Sequence, residues 1–254
     1  NCYFLDSTQQ AQRFQHSLLD GFTRLHQDDN QQQALNIAIV GGGATGVELS
    51  AELYHVSNLL KLYGLTNMSP KRLHIHLIEA GPRILPALPE RIASSAKREL
   101  LKLGVHVREH TQVKEATKYG FITKDDEQIE ADIMVWAAGV KAPDFIKDLG
   151  VFELTSNNQI RVNKFLQSTV DDSIFVLGDC CAFTQTDGKQ VPPRAQSAHQ
   201  MAKCVEKNII ATLRKQPLRG FTYNDYGSLV NLSRYGTVGN LMGNLTNNSF
   251  FIEG

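Results

Sequence analysis

From Ser7 to His26 the apolar positions fall three and four residues apart: Phe14, Leu18, Leu19, Phe22 and Leu25. That period predicts an amphipathic helix over 7–26 with Ser7 or Thr8 as its cap. The polar run HQDDNQQQ (26–33) then reads as a linker. At Asn36 the pattern changes to a short apolar run, Ile37-Ala38-Ile39-Val40, then three glycines. A helix is expected from about Ala44 into the early sixties, where GLTNMSPKR breaks it. LHIHLIEA (73–80) reads as a buried strand, followed by a helix from near Pro89 to Gly104, a residue suited to ending it. VHVREH is a third strand. Residues 111–130 read as short strands with turns at Tyr119-Gly120 and Lys124-Asp125-Asp126, and ADIMVWAAG (131–139) as a further buried strand.

Strands alternating with helices predict an α/β fold on a parallel sheet covered on both faces. Beyond about residue 150 the pattern differs. A hairpin-like piece precedes one strongly apolar strand (174–178) and a helix from about Arg194 to Leu213. The last forty residues are rich in β-formers and glycine, which predicts an antiparallel segment. A domain boundary is expected at 145–155.

Composition narrows the function classes. The 26 basic and 26 acidic residues balance, so no net charge draws the chain to nucleic acid or anionic lipid. The longest apolar runs are strand-sized, too short for a membrane helix. Cys2, Cys180, Cys181 and Cys204 form no C-x-x-C pair, and no His or Cys cluster has zinc spacing, so neither a redox dithiol nor a metal is expected.

The chemistry starts at Gly41-Gly42-Gly43-Ala44-Thr45-Gly46, which satisfies G-x-G-x-x-G through Gly41, Gly43 and Gly46. Gly41 permits the tight turn out of the strand, Gly43 lets a pyrophosphate approach the backbone, and Gly46 lets the helix pack on the strand. The helix N-terminus then receives the phosphates. The strand at 73–80 ends in Glu79-Ala80, 38 residues after Gly41 (79 − 41), a distance explained by an insertion around 55–71. A carboxylate there hydrogen-bonds the adenosine ribose and repels a 2′-phosphate, which favours NADH, although Arg83 stands close enough to weaken that preference. Glu48 lies near the start of the helix. It serves either the helix dipole or the nicotinamide end of a ligand. WAAGV (136–140) ends its strand in small residues, which suits either tight packing or a ligand close to the backbone.

A second candidate lies at Gly178-Asp179, just after the apolar strand. The helix behind it opens with Pro192-Pro193, and small residues Ala195, Ser197 and Ala198 leave room beside its start. In order, GGGATGVELSAEL, WAAGV, IFVLGDC, PPRAQSAHQMA and YGSLVNLSRYGTVGNLMG resemble the type II NADH:quinone oxidoreductases, single-subunit, non-proton-pumping respiratory enzymes. The resemblance covers nearly the whole chain, and the Ala-Gln-x-Ala-x-Gln run at 195–200 is its most diagnostic part.

That resemblance implies a Rossmann-like NADH domain with a three-stranded meander at 34–150. It is flanked by part of a second Rossmann-like domain for FAD, at 1–33 and 151–254. By the same resemblance, Gly41, Gly42, Gly43, Thr45, Gly46, Glu79 and Ala80 serve NADH. Glu48 is the acid near nicotinamide and flavin, and Ala138 and Gly139 form a loop over the nicotinamide. Gly178, Asp179 and Ala195 contact the flavin, with Asp179 accepting from its ribityl chain. Gln196, His199 and Gln200 face the quinone. The implied activity is hydride transfer from NADH to FAD, then two electrons to a membrane quinone, at the cytoplasmic side of the inner membrane. A homodimer is compatible with it. The family's first glycine turn and its C-terminal membrane-binding segment are absent from these residues, so the chain is expected to be a piece of a longer protein and inactive alone. Two other readings stay open on sequence: a ferredoxin- or disulfide-linked FAD reductase, and a non-catalytic NAD(H)-binding module.

Overall fold

The computed structural model describes residues 2–28, 33–65, 67, 69–241 and 250–253. Strand β1 (Cys2–Phe4) leads into helix α1 (Thr8–Gln27), whose N-cap is Ser7; the Ser7 hydroxyl accepts from the Gln10 amide. Phe14, Leu18, Phe22 and Leu25 form its buried face, whereas Leu19, expected among them, is exposed. At about 100° per residue Leu19 stands a quarter-turn round from Leu18, too far to share that face.

The glycine-turn pattern follows as β2 (Leu35–Val40) and α2 (Ala44–Leu60), then β3 (Leu73–Ile78), α3 (Glu90–Leu103) and β4 (His106–Arg108). Gly104 ends α3 in the left-handed conformation, as its position predicts. Strands β5 (Val113–Thr117), β6 (Gly120–Thr123) and β7 (Gln128–Glu130) form an antiparallel meander, and β8 (Ile133–Trp136) returns to the main sheet. That sheet has the order β1-β8-β2-β3-β4 and is parallel throughout. One face carries Ile37, Ile39, Ile75, Leu77 and Val135 into a core with the helices; the other carries Ala38, Val40, Ile78 and Met134 against Phe121 and Ile129 of the meander. Both faces are thus covered, and continuous apolar strands result.

Beyond the sheet come α4 (Asp144–Asp148), β9 (Ile160–Arg161), β10 (Cys181–Ala182) and α5 (Ala195–Leu213). The antiparallel strands β11 (Gly227–Asn231), β12 (Thr237–Leu241) and β13 (Phe250–Glu253) follow. The chain divides into two units, and neither sits on the expected boundaries. One unit holds 2–138 together with 227–241 and 250–253; the other holds 139–226. Residues 1–33, assigned by resemblance to the FAD part, here give β1 to the edge of the glycine-turn sheet and α1 to its core, where Phe22 is 1% exposed. Val230 and Leu232, from the opposite end of the chain, are buried in the same core.

The second unit is built on Ile160, Leu166, Val176, Phe183, Met201, Val205 and Phe221. The strand expected at 174–178 does not form: the segment carries one isolated antiparallel bridge, between Gln167 and Phe175, and Gly178 opens a 3₁₀ turn. A strand needs a continuous ladder, and among the described residues no parallel neighbour lies beside it. Asn208 of α5 ties the following segment down, donating to the Phe165 and Arg219 carbonyls and accepting from the Arg219 amide at 2.8 Å.

Candidate functional site

In the first unit the glycine turn links the carboxyl end of β2 to the start of α2, and each glycine has a separate steric role. Gly41 has φ +115°, and a β-carbon on it would lie 2.7 Å from the Ala138 nitrogen. A β-carbon on Gly46 would lie 2.0 Å from the Gly41 carbonyl oxygen. These two positions pack the turn against the end of β8 and the helix against the turn. At Gly43 a β-carbon would meet nothing within 4 Å, which leaves open space beside the backbone. Gly43 is also the N-cap of α2 and offers no side chain to cap it, so no cap occupies the amides of the first turn, a position suited to an anion. Thr45 is exposed on that turn.

Glu79 crosses the turn. Its Oε2 accepts from the Gly42 amide at 2.8 Å and its Oε1 from the Gly81 amide at 2.6 Å. Each carboxylate oxygen keeps a further lone pair, so a ribose hydroxyl remains a compatible donor. Exposed Ala80 adds no bulk beside it. The Arg83 guanidinium donates to the Leu85, Pro86 and Leu88 carbonyls, which engages it in holding the loop.

Sequence reasoning missed Glu109, which organises that loop. Its carboxylate accepts from the Ile84 amide at 2.9 Å and pairs with Lys97 of α3. Burial acts to raise its pKa, but Lys97 and the Ile84 amide outweigh it and hold the carboxyl below the ordinary range. An acid just past β4, at the carboxyl edge of a parallel sheet, was the available signal. Glu48 is half-buried on α2, and its Oε1 accepts from the Asn231 amide at 3.0 Å. It joins the helix to the returning β11 segment. Ala138 is small because its backbone abuts Gly41; Gly139 has φ +81° with open space around it.

In the second unit, Gly178 (φ +74°) and exposed Asp179 form a 3₁₀ turn, and a β-carbon on Gly178 would touch that of Ala198 on α5. The turn and the start of α5 therefore adjoin, as expected. The Asp179 carbonyl accepts from the Gln159 side chain, while no protein donor holds its carboxylate among the described contacts. Ala195 and His199 are exposed on α5. Gln196 and Gln200 are engaged within the chain. Gln200 accepts from the Asn224 amide at 3.0 Å and donates to its carbonyl at 2.8 Å. Gln196 accepts from the Tyr226 amide and donates to Asp225. Together they bind the extended 224–226 segment as a strand would. The four cysteines are free, and burial pushes the Cys181 thiol up to about 12 and raises that of Cys180, so neither is a ready thiolate.

The family profile of the pyridine nucleotide-disulphide oxidoreductases matches residues 1–202. The chain belongs to this family. Among curated relatives of this pyridine nucleotide-disulphide oxidoreductase, a type II NADH:quinone oxidoreductase of Haemophilus influenzae is 46% identical across 100% of the chain and 60% of its own length. One of the same name from Staphylococcus aureus is 32% identical across 85% of the chain and 53% of its own length. The chain therefore spans somewhat over half the length of the relatives it matches. Among solved structures, NDH2 from Plasmodium falciparum in complex with NADH superposes with a TM-score of 0.80 at 19% identity, covering 100% of this chain and 66% of that one. A ferredoxin reductase from Rhodopseudomonas palustris gives 0.68 at 16% identity, covering 94% and 52%. These two likenesses establish the Rossmann-like fold alone.

Proposed function

We propose that this chain is the NADH-binding part, with a portion of the flavin- and quinone-binding part, of a type II NADH:quinone oxidoreductase. The glycine turn carries the reading: Gly41 and Gly46 are closed by backbone, Gly43 is open, and Glu79 spans the turn at the end of the neighbouring strand. The 46% identity across this chain to the Haemophilus influenzae relative supports the choice of quinone over other acceptors.

In this reading the pyrophosphate of NADH lies against Gly43 and the first turn of α2, where the helix dipole and outward amides offset its charge. Glu79 accepts from the adenosine ribose and disfavours NADPH by repulsion. Ala138 and Gly139 leave the nicotinamide free to approach, and Glu48, fixed by Asn231, lines the approach. Gly178 in its left-handed conformation, the Asp179 carboxylate and Ala195 fit a flavin, and that cofactor when bound supplies the hydride acceptor and passes two electrons onward. Exposed His199 is the α5 side chain free to touch a quinone, while Gln196 and Gln200 shape that site by fixing residues 224–226. Since quinones dissolve in lipid, we place the parent enzyme peripherally on the inner membrane, at its cytoplasmic side.

The test uses Trp136, the chain's one tryptophan, at the end of β8. NADH titrated into the chain should quench it saturably, and NADPH should bind roughly tenfold more weakly, about 1.4 kcal/mol. Absence of saturable quenching at millimolar NADH overturns the reading. For the second half-reaction, full-length enzyme carrying FAD is assayed with a soluble quinone; His199→Ala should raise the quinone KM and leave the NADH KM unchanged.

A further inference from the structure

The outer face of α5 carries a feature that dinucleotide chemistry does not use and that shares only Gln200 with the quinone reading. A cavity of about 300 Å³ opens between α5 and the extended segment at 219–222. Lys203, Lys207 and Arg219 line it, together with Gln200, Cys204 and the backbone around Phe221. Lys203 and Lys207 stand four residues apart on one helix face, where like charges repel. No ion pair relieves any of the three cations among the described residues, although the chain overall is neutral. Glu206, the one acidic residue of α5, is not part of the lining.

The walls are fixed. Buried Asn208 holds Arg219 through both its amide and its carbonyl, and Gln200 holds Asn224 in the same two-point way. The Cys204 thiol points at the Arg219 carbonyl, 3.6 Å away. Three unpaired cations around a pre-shaped hollow concentrate anions there, and neutralising them removes their mutual repulsion. We infer that this cavity is a binding site for a small polyvalent oxyanion, such as a diphosphate or tricarboxylate. At about 300 Å³ the open hollow admits a molecule of that size, and the vesicle arm of the test below separates a free anion from a lipid surface.

Cys204 reports on the site directly. On the 254-residue chain, the rate of alkylation by anionic iodoacetate is divided by that for neutral iodoacetamide. That ratio at Cys204 should exceed the ratio at Cys180, which sits beside Asp179, by roughly tenfold at low salt. Inorganic pyrophosphate, and in a parallel arm citrate, should slow alkylation of Cys204 by either reagent without protecting Cys180. The triple variant K203Q/K207Q/R219Q, all exposed side chains, should lose both the charge preference and the protection. Equal ratios at the two cysteines, or protection that persists in the triple variant, overturn the proposal. Protection by phosphatidylglycerol vesicles with none from pyrophosphate or citrate also overturns it, in favour of a lipid surface.

Discussion

Gly43 and Gly46 are three residues apart in one turn and predict opposite mutant behaviour. Gly46→Ala forces a methyl against the Gly41 carbonyl oxygen, so it should lower the melting temperature and abolish NADH binding together. Gly43→Ala has room and an ordinary φ of −71°, so thermal melting should barely change while NADH affinity falls about tenfold, or about 1.4 kcal/mol. Calorimetry and fluorescence titration of the two variants separate these effects. Glu79→Gln removes the charge, so the ratio of NADPH to NADH dissociation constants should move toward one. A third residue predicts a pH effect. Burial first, then the charges of His106 and Arg108, lower the His76 pKa from its usual 6.5 to about 4. The folded state thus disfavours protonated His76. Its full stability is present above about pH 6.5 and is lost as pH falls toward 4, since only the unfolded chain takes up the proton. His76→Phe should flatten that part of a melting-temperature profile. The three glycines and Glu79 were legible in sequence because a motif fixes their chemistry. The partners of Glu48, Gln196 and Gln200 were not, because each is a backbone amide or carbonyl brought in by tertiary folding.

Helix α1 shows how far periodicity reaches among the elements. Its span, its Ser7 cap and four of its five apolar contacts follow from three- and four-residue spacing, whereas what it packs against does not. The helix period says that a face is buried but is silent on which sheet buries it, so the neighbour of residues 1–33 is not legible from periodicity. Phe22→Ala should cost about 3–5 kcal/mol and act on the unit that carries the glycine turn. Ser7→Ala should cost about 1 kcal/mol. If residues 1–33 acted separately, NADH binding would survive Phe22→Ala unchanged, which equilibrium unfolding in the presence of NADH would reveal. The expected strand at 174–178 failed for a related reason. Its apolar run is real, and Val176 is buried, but a ladder needs a partner that local sequence does not name. The meander and α5 succeeded because turns and helix periodicity are local chemistry.

At the scale of the molecule, the glycine-turn unit is discontinuous in sequence. It is left at Ala138 and completed by β11 and β12, with Val230 and Leu232 filling its core. A chain ending at Tyr226 should keep the parallel sheet yet melt roughly 5 °C or more lower, from two lost core side chains and an unpartnered Glu48. An unchanged melting temperature would show that the returning segment is ornamental. The Glu48–Asn231 hydrogen bond also has a meaning in time. Its partners are 183 residues apart, so at roughly 5–20 residues per second a ribosome needs about ten to forty seconds to supply the second after the first. Throughout that interval the nascent glycine-turn core has a gap where Val230 and Leu232 belong, so it is a client for chaperones until those two residues have been made.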